Sequence, residues 1–190
     1  MRYSEATGKL TGYRQQIIEI REAMRKVQTE IEPQEVSDYT FKSLDGKVSL
    51  SNLFGGKEDL FVIHNMGASC AYCTLWADGY NGAYEHLASR AAFVISSPDA
   101  PEIQKSFAQK RGWRFPMVSH QGSSFAADMG YRSETGGLMP GVSVFQRKRG
   151  KICRVSDTIF NHSDEFCAAW RLFDLLPEGA NGWQPKFTYP

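Results

Sequence analysis

Phe61-Val62-Ile63-His64-Asn65-Met66-Gly67-Ala68-Ser69-Cys70-Ala71-Tyr72-Cys73 is the stretch around which the rest of the chain is arranged. Leu60 to Asn65 has the length and composition of a buried strand. It runs into a small-residue loop, Met66 to Ser69, and two cysteines follow with two residues between them. Such a pair has three readings: a redox dithiol, half of a metal site, or coincidence. The motif alone does not choose among them, so the choice falls to the rest of the chain.

The bulk numbers narrow the field. At 190 residues the default is one domain with some decoration, two small domains being the alternative. Hydrophobic content of 42% and charged content of 23% are those of a soluble globular chain, long enough to bury a core without disulfide staples. A net charge of +1 supplies no long-range field for nucleic acid or an anionic membrane. The mean hydropathy is −0.41, and no apolar run approaches twenty residues, which excludes a helical membrane span. The first residues lead into a charged amphipathic segment without a signal-peptide core, so the expected location is the cytoplasm. There, four cysteines are not a disulfide framework, and a close pair is more often catalytic or metal-binding.

Taken in order, residues 1–12 have no periodicity and are expected to be irregular. Tyr13, Ile17, Ile20, Met24, Val27 and Ile31 then step by four, three, four, three and four, a helical stripe at heptad spacing that Pro33 stops. Such a helix either packs on its own domain or pairs with a second subunit, and a homodimer is among the expectations. Tyr39 to Leu50 reads as a β-hairpin around Asp45-Gly46. After the Leu60–Asn65 strand, a helix is expected from Cys70 to about Ser89, with Ser69 as N-cap and a weak point at Gly79 and Gly82. Ala92 to Ser96 is a second buried strand, Pro101 to Arg111 a helix, Phe115 to Ser119 a short extended piece, and Ser124 to Met129 a brief helix. Val142 to Gln146 and Ile152 to Ile159 form an antiparallel pair, and Asp164 to Leu176 a final helix with Phe166, Trp170, Phe173 and Leu176 on one side. The aromatic tail is expected to lie extended over an apolar surface. Strand–helix–strand implies a parallel pair, and the later strands join it antiparallel. The fold class is therefore α/β: a mixed sheet flanked by helices, with an N-terminal hairpin and an added N-terminal helix. The division is 1–36 helical extension, 37–176 α/β domain and 177–190 tail.

This arrangement resembles the thioredoxin fold. The dithiol Cys70-Ala71-Tyr72-Cys73 lies where a buried strand gives way to a helix, and Met139-Pro140-Gly141-Val142-Ser143-Val144-Phe145 matches the segment where thioredoxin-like proteins carry a cis-proline before a strand. Tyr39 to Leu53 is similar to the N-terminal hairpin of peroxiredoxins and thiol reductases, and Phe115-Pro116-Met117-Val118-Ser119 is also peroxiredoxin-like. More closely, the chain resembles the thioredoxin-like family known as domain of unknown function 899. Leu75-Trp76-Ala77-Asp78, Gly112-Trp113-Arg114-Phe115-Pro116 and the strand from Pro140 to Phe145 carry that likeness, which extends from about Tyr13 to Leu176. The inner dipeptide is Ala-Tyr, not the Gly-Pro of thioredoxin. The family has no settled activity, so the resemblance implies a fold more than a function.

The chemistry follows from position. A helix N-terminus carries partial positive charge and unpaired N–H groups, which lower a thiol pKa there. Cys70 is accordingly the expected attacking sulfur, and Cys73, one turn in, the resolving one. The resemblance implies a cis bond at Pro140, with the backbone at Met139 left to hold a substrate. It also places His64 where thioredoxin has a buried acid that accepts a proton from the second cysteine; the other reading of His64 is a hydrogen-bonded core residue. Tyr72 and Trp76 either flank the sulfurs as substrate contacts or pack, and Asp78 is either a surface carboxylate or a relay. Zinc would need Cys153, Cys167, His64, His86, His120 or His162 as further ligands, and no second close pair exists. No cofactor and no metal are expected. The peroxiredoxin motif Pro-x-x-x-Thr/Ser-x-x-Cys is absent at Cys70, because Ile63 and Gly67 fill its places. The expected activity is thiol–disulfide exchange with a disulfide-containing protein or small thiol, served by a reductase of unknown identity, and without nucleic acid or membrane partners. A redox-silent thioredoxin-like binding module is the alternative, with a peroxidase or zinc domain behind it.

Overall fold

The computed structural model describes residues 1–190. It divides into two compact units, Met1–Pro33 and Gln34–Pro190, so the boundary falls at Pro33 rather than after residue 36. The first unit is a single helix, α1 (Tyr3–Glu30), in which no residue is buried. It starts at Tyr3 instead of about Tyr13. Glu5 reaches back to the Arg2 N–H (3.2 Å) and to Arg2 Nε (2.9 Å), closing the first turn. The Thr7 and Thr11 hydroxyls donate to carbonyls one turn back, so both are satisfied within the helix.

The second unit is built on an eight-stranded sheet. Its strands are β1 (Gln34–Glu35), β2 (Thr40–Ser43), β3 (Gly46–Ser49), β4 (Asp59–His64), β5 (Ala92–Ser97), β6 (Met117–Ser119), β7 (Gly141–Lys148) and β8 (Lys151–Ile159). Their spatial order is β1-β8-β7-β4-β5-β6-β2-β3. β4, β5 and β6 run parallel, joined by α2 (Ala71–Arg90) and α3 (Pro101–Arg111); every other pairing is antiparallel. The hairpin β2–β3 turns at Gly46, whose φ of +112° only glycine adopts without strain, and it joins the sheet by pairing Lys42 with Ser119.

Alternation along β4 divides the interior in two. Leu60 and Val62 point into a core with Phe41, Phe54, Phe125 and Phe145, while Ile63 points into another with Trp76, Phe93, Phe160 and Trp170. Each such fully buried side chain stabilises the fold by about 1.5–3 kcal/mol. α2 belongs to the second core through Trp76 and Ala77, and the first is closed by α4 (Phe125–Asp128).

In the second unit two helices differ from the sequence reading. α2 passes unbroken through Gly79 and Gly82, because its packed residues outweigh the cost of about 1 kcal/mol per glycine. The last helix shrinks to α5 (Ala168–Phe173). The reason is Asp164, whose carboxylate accepts the N–H groups of Asn161 (3.1 Å) and Phe166 (2.9 Å) and folds the segment into turns. Leu172, Leu175 and Leu176 are consequently exposed. The tail packs through Trp183 on Phe173 (4.9 Å between ring centroids) and Trp170 (5.7 Å), and the Phe187 carbonyl accepts from Arg111 (2.6 Å). No helix is long and apolar enough to cross a membrane.

Candidate active site

The carboxyl ends of parallel strands are where α/β sheets present their loops, and the dithiol lies at the end of β4. Past His64 the Asn65 N–H still bonds the Ser96 carbonyl (2.9 Å), and the Asn65 side chain accepts the Gly67 N–H (2.8 Å). Gly67 has φ +107°, and a Cβ there would lie 3.1 Å from the carboxylate oxygens of Asp99. That carboxylate accepts the Ala68 N–H at 2.8 Å. Asp99 in turn bonds Ser97, whose hydroxyl also accepts from the buried Gln104 amide (2.8 Å). One carboxylate from the segment after β5 thus pins the loop that carries Cys70.

The N-cap of α2 is Cys70 itself, not Ser69. Its backbone is extended, and its sulfur accepts the Cys73 N–H at 3.0 Å, the bond a serine or aspartate oxygen makes at ordinary caps. The Thr74 hydroxyl and N–H both donate to the Cys70 carbonyl (3.0 Å each). Cys70 is half-buried and Cys73 is 3% exposed; both thiols are free, and Cys73 Sγ accepts the Met66 N–H (3.4 Å).

These contacts separate the two thiols electrostatically. The Cys70 pKa is brought down to about 7, first by the Cys73 thiol donating to its sulfur and then by the Cys73 and Tyr72 N–H groups, against the opposing effect of burial. Giving that same hydrogen bond, together with burial and the neighbouring charge, pushes the Cys73 thiol far up. The shared proton therefore resides on Cys73, and of the two sulfurs Cys70 is the one that more readily carries a negative charge near neutral pH.

Most of the other sequence candidates are engaged by partners other than the two thiols. Every peptide bond is trans, the Met139–Pro140 bond included. The Met139 N–H is taken by the Tyr131 carbonyl (3.0 Å) and the Pro140 carbonyl by the Phe160 N–H (2.8 Å). This dipeptide is held extended at the entrance to β7, where the lower-energy isomer serves and the Met139 N–H is not free for a substrate. Gly141 follows because a Cβ there would overlap the Tyr131 ring and the Thr158 carbonyl.

His64 falls on the face of β4 opposite α2. Its Nε2 bonds Ser143 Oγ (2.9 Å), its Nδ1 has no partner, and its ring stacks on Tyr131 at 3.6 Å. Neither ring nitrogen bonds a thiol, and burial holds its pKa well below the usual value, so it is a neutral core histidine rather than a proton acceptor for Cys73. Trp76 is 3% exposed, with its Nε1 on Asp164 (3.3 Å), and is a core residue. Asp78 pairs with Arg111 and accepts the Trp113 Nε1 (2.8 Å), tying α2 to α3. Tyr72 alone of the aromatic candidates stays half-buried beside the dithiol, stacked on His162 at 4.0 Å. No three His, Cys, Asp or Glu side chains converge anywhere in the chain to hold a metal ion.

Asp99 and Asn65 escape the sequence reading of the site, and His162 enters it only as a candidate zinc ligand. A signal for Asp99 exists: it lies between Pro98 and Pro101, directly after β5 and thus beside the loop after β4.

The strand order and the crossover helix that follows β4 give a thioredoxin-like fold. Solved structures agree in fold. Xanthomonas campestris peroxiredoxin Q superposes with a TM-score of 0.55 at 17% identity, covering 64% of this chain and 80% of that one. For peroxidoxin BcpB from Mycobacterium tuberculosis the values are 0.51, 23%, 68% and 82%. For Enterococcus faecalis AhpC they are 0.55, 16%, 68% and 80%. Residues 4–188 match the family described as bacterial protein of unknown function (DUF899), and the chain belongs to that family. A curated relative, chloroplastic peroxiredoxin Q of Suaeda salsa, is 30% identical over 119 residues, which is 62% of this chain and 55% of that protein.

Proposed function

We propose that the protein is a thiol–disulfide oxidoreductase. The observation that carries this reading is the Cys70 sulfur, which receives the Cys73 N–H at 3.0 Å and the Cys73 thiol proton together. The Cys70 thiolate attacks one sulfur of a substrate disulfide, forming a mixed disulfide and expelling the other sulfur as a thiolate, which takes up a proton. Cys73 then loses its proton and attacks the Cys70 sulfur. An S–S bond forms between Cys70 and Cys73, and the second substrate thiol leaves. Two electrons pass from the dithiol to the substrate, and a separate reductase restores the dithiol. The substrate is a protein disulfide or the disulfide of a small thiol. Tyr72 and the adjacent His162 line its approach.

Alkylation of Cys70 against pH, combined with mild oxidation and mass measurement, tests the proposal. A midpoint near pH 7 and a Cys70–Cys73 disulfide are expected. A midpoint at the value of ordinary cysteine, together with no disulfide, overturns it and leaves the redox-silent binding module.

The names of the relatives favour a second reading, a thiol peroxidase. Cys70 would attack a peroxide oxygen, release water or alcohol, and be resolved from the sulfenic acid by Cys73 with loss of water. Ile63 and Gly67, in place of the motif's Pro and Thr/Ser, weigh against it. Hydrogen peroxide consumption at a rate above that of disulfide reduction would favour it.

A further inference from the structure

We infer that α1 is one strand of a two-stranded coiled coil whose other strand is α1 of a second copy of this chain. Because the helix begins at Tyr3, its apolar repeat is longer than the stripe from Tyr13 to Ile31. Tyr3, Leu10, Ile17, Met24 and Ile31 recur every seven residues, and Ala6, Tyr13, Ile20 and Val27 fill the alternate positions. These nine residues keep a strict three–four spacing over four heptads, with no charge among them.

The width of the stripe says what kind of surface covers it. A helix lying on a globular body presents a broad face, apolar at a third heptad position as well. Here the positions flanking the seam are Lys9, Gln16, Ala23 and Glu30 on one side and Thr7, Arg14, Arg21 and Gln28 on the other. Ala23 is the one apolar residue among the eight. A narrow seam at a period of 3.5 is what two helices bury when they wind around each other. The chain has no other helix of comparable length and pattern, so the second strand comes from another copy.

Area agrees. The seam is open to solvent, with Tyr3 89%, Leu10 50%, Ile20 60%, Met24 58% and Val27 61% exposed. Over about 42 Å of helix, covering it removes on the order of 700 Å² per helix, or about 1,400 Å² for the pair, the size of a stable interface. A helix containing Gly8 and Gly12 draws its stability from such packing rather than from propensity.

The test is the mass of the full-length chain in solution at micromolar concentration, by light scattering or sedimentation. The chain should be a dimer. The double variant Ile17→Asp/Ile20→Asp places charges in the seam and should raise the dissociation constant at least about 100-fold, giving a monomer. Ile18→Asp, exposed and off the seam, should leave the dimer intact. All four tryptophans lie between Gln34 and Pro190, so their fluorescence checks that the α/β body of each variant is folded. A monomeric parent, a seam variant that stays dimeric, or an Ile18 variant as disruptive as the seam variant each overturns the inference. None of these outcomes depends on the redox activity.

Discussion

Two helices of this chain begin at a cysteine, and the two sulfurs behave in opposite ways. Cys70 caps α2 and Cys167 caps α5, both with extended backbones. Backbone N–H groups approach each sulfur, and burial works against the thiolate at each. At Cys167 burial wins, and its pKa is raised. At Cys70 the balance reverses, because a second thiol donates its proton to the sulfur. A helix N-terminus alone is worth about 0.3–1 kcal/mol to a negative charge. The comparison therefore traces the lowered Cys70 pKa to the pair of cysteines rather than to the helix end, and it makes Cys167 a packing residue of the Trp170 core.

The contrast is sharpest in turnover. Cys70→Ser should lower disulfide reduction by about 1,000-fold or more, because a hydroxyl at neutral pH is no nucleophile, while Cys167→Ser should stay within about twofold. Comparable losses from both would dissolve the distinction. Next comes alkylation of the unmodified protein. As pH rises through about 7 the Cys70 proton leaves and its rate climbs to a plateau, while Cys167 in the folded protein should be slower by about 100-fold. Mass mapping of the adducts reads both at once, and a Cys167 adduct as fast as Cys70 refutes the electrostatic account. Cys73→Ala removes the donor, so the Cys70 midpoint should move upward. At slightly acidic pH its alkylation should then fall on the order of 10-fold. An unmoved midpoint would hand the effect back to the helix end. The smallest difference lies in the loops. Asp99→Ala and Asp164→Ala each strip hydrogen bonds from backbone N–H groups and should each cost about 1–2 kcal/mol in urea unfolding. Asp99→Ala alone should also slow Cys70 chemistry, by several-fold, because only its carboxylate holds the loop before Cys70.

Much of the framework was legible. Leu60 to Asn65 reads as a buried strand because six residues of that composition fit little else, and the small-residue loop and cysteine pair that follow locate the site. The hairpin at Asp45-Gly46 is local chemistry and sits where its turn signal places it. What escaped depends on contacts distant in sequence. Pro140 is trans because Tyr131 and Phe160 hold the flanking backbone, and nothing near residue 140 announces either partner. The direction of His64 depends on which face of β4 receives α2, which spacing does not state. Trp76, Asp78 and Trp113, prominent in the family likeness, join α2 to α3 and to the core rather than to the chemistry. The start of α1 was hidden by Gly8 and Thr11, weak helix formers that nonetheless lie within the helix.

One consequence of the Cys70 cap lies in the main chain. The Cys73 amide proton points at a sulfur 3.0 Å away, so its magnetic resonance frequency and its exchange with water follow the charge on that sulfur. A change of protonation or oxidation at Cys70 is thereby written into a peptide group, where spectroscopy reads it with no reagent touching the thiol.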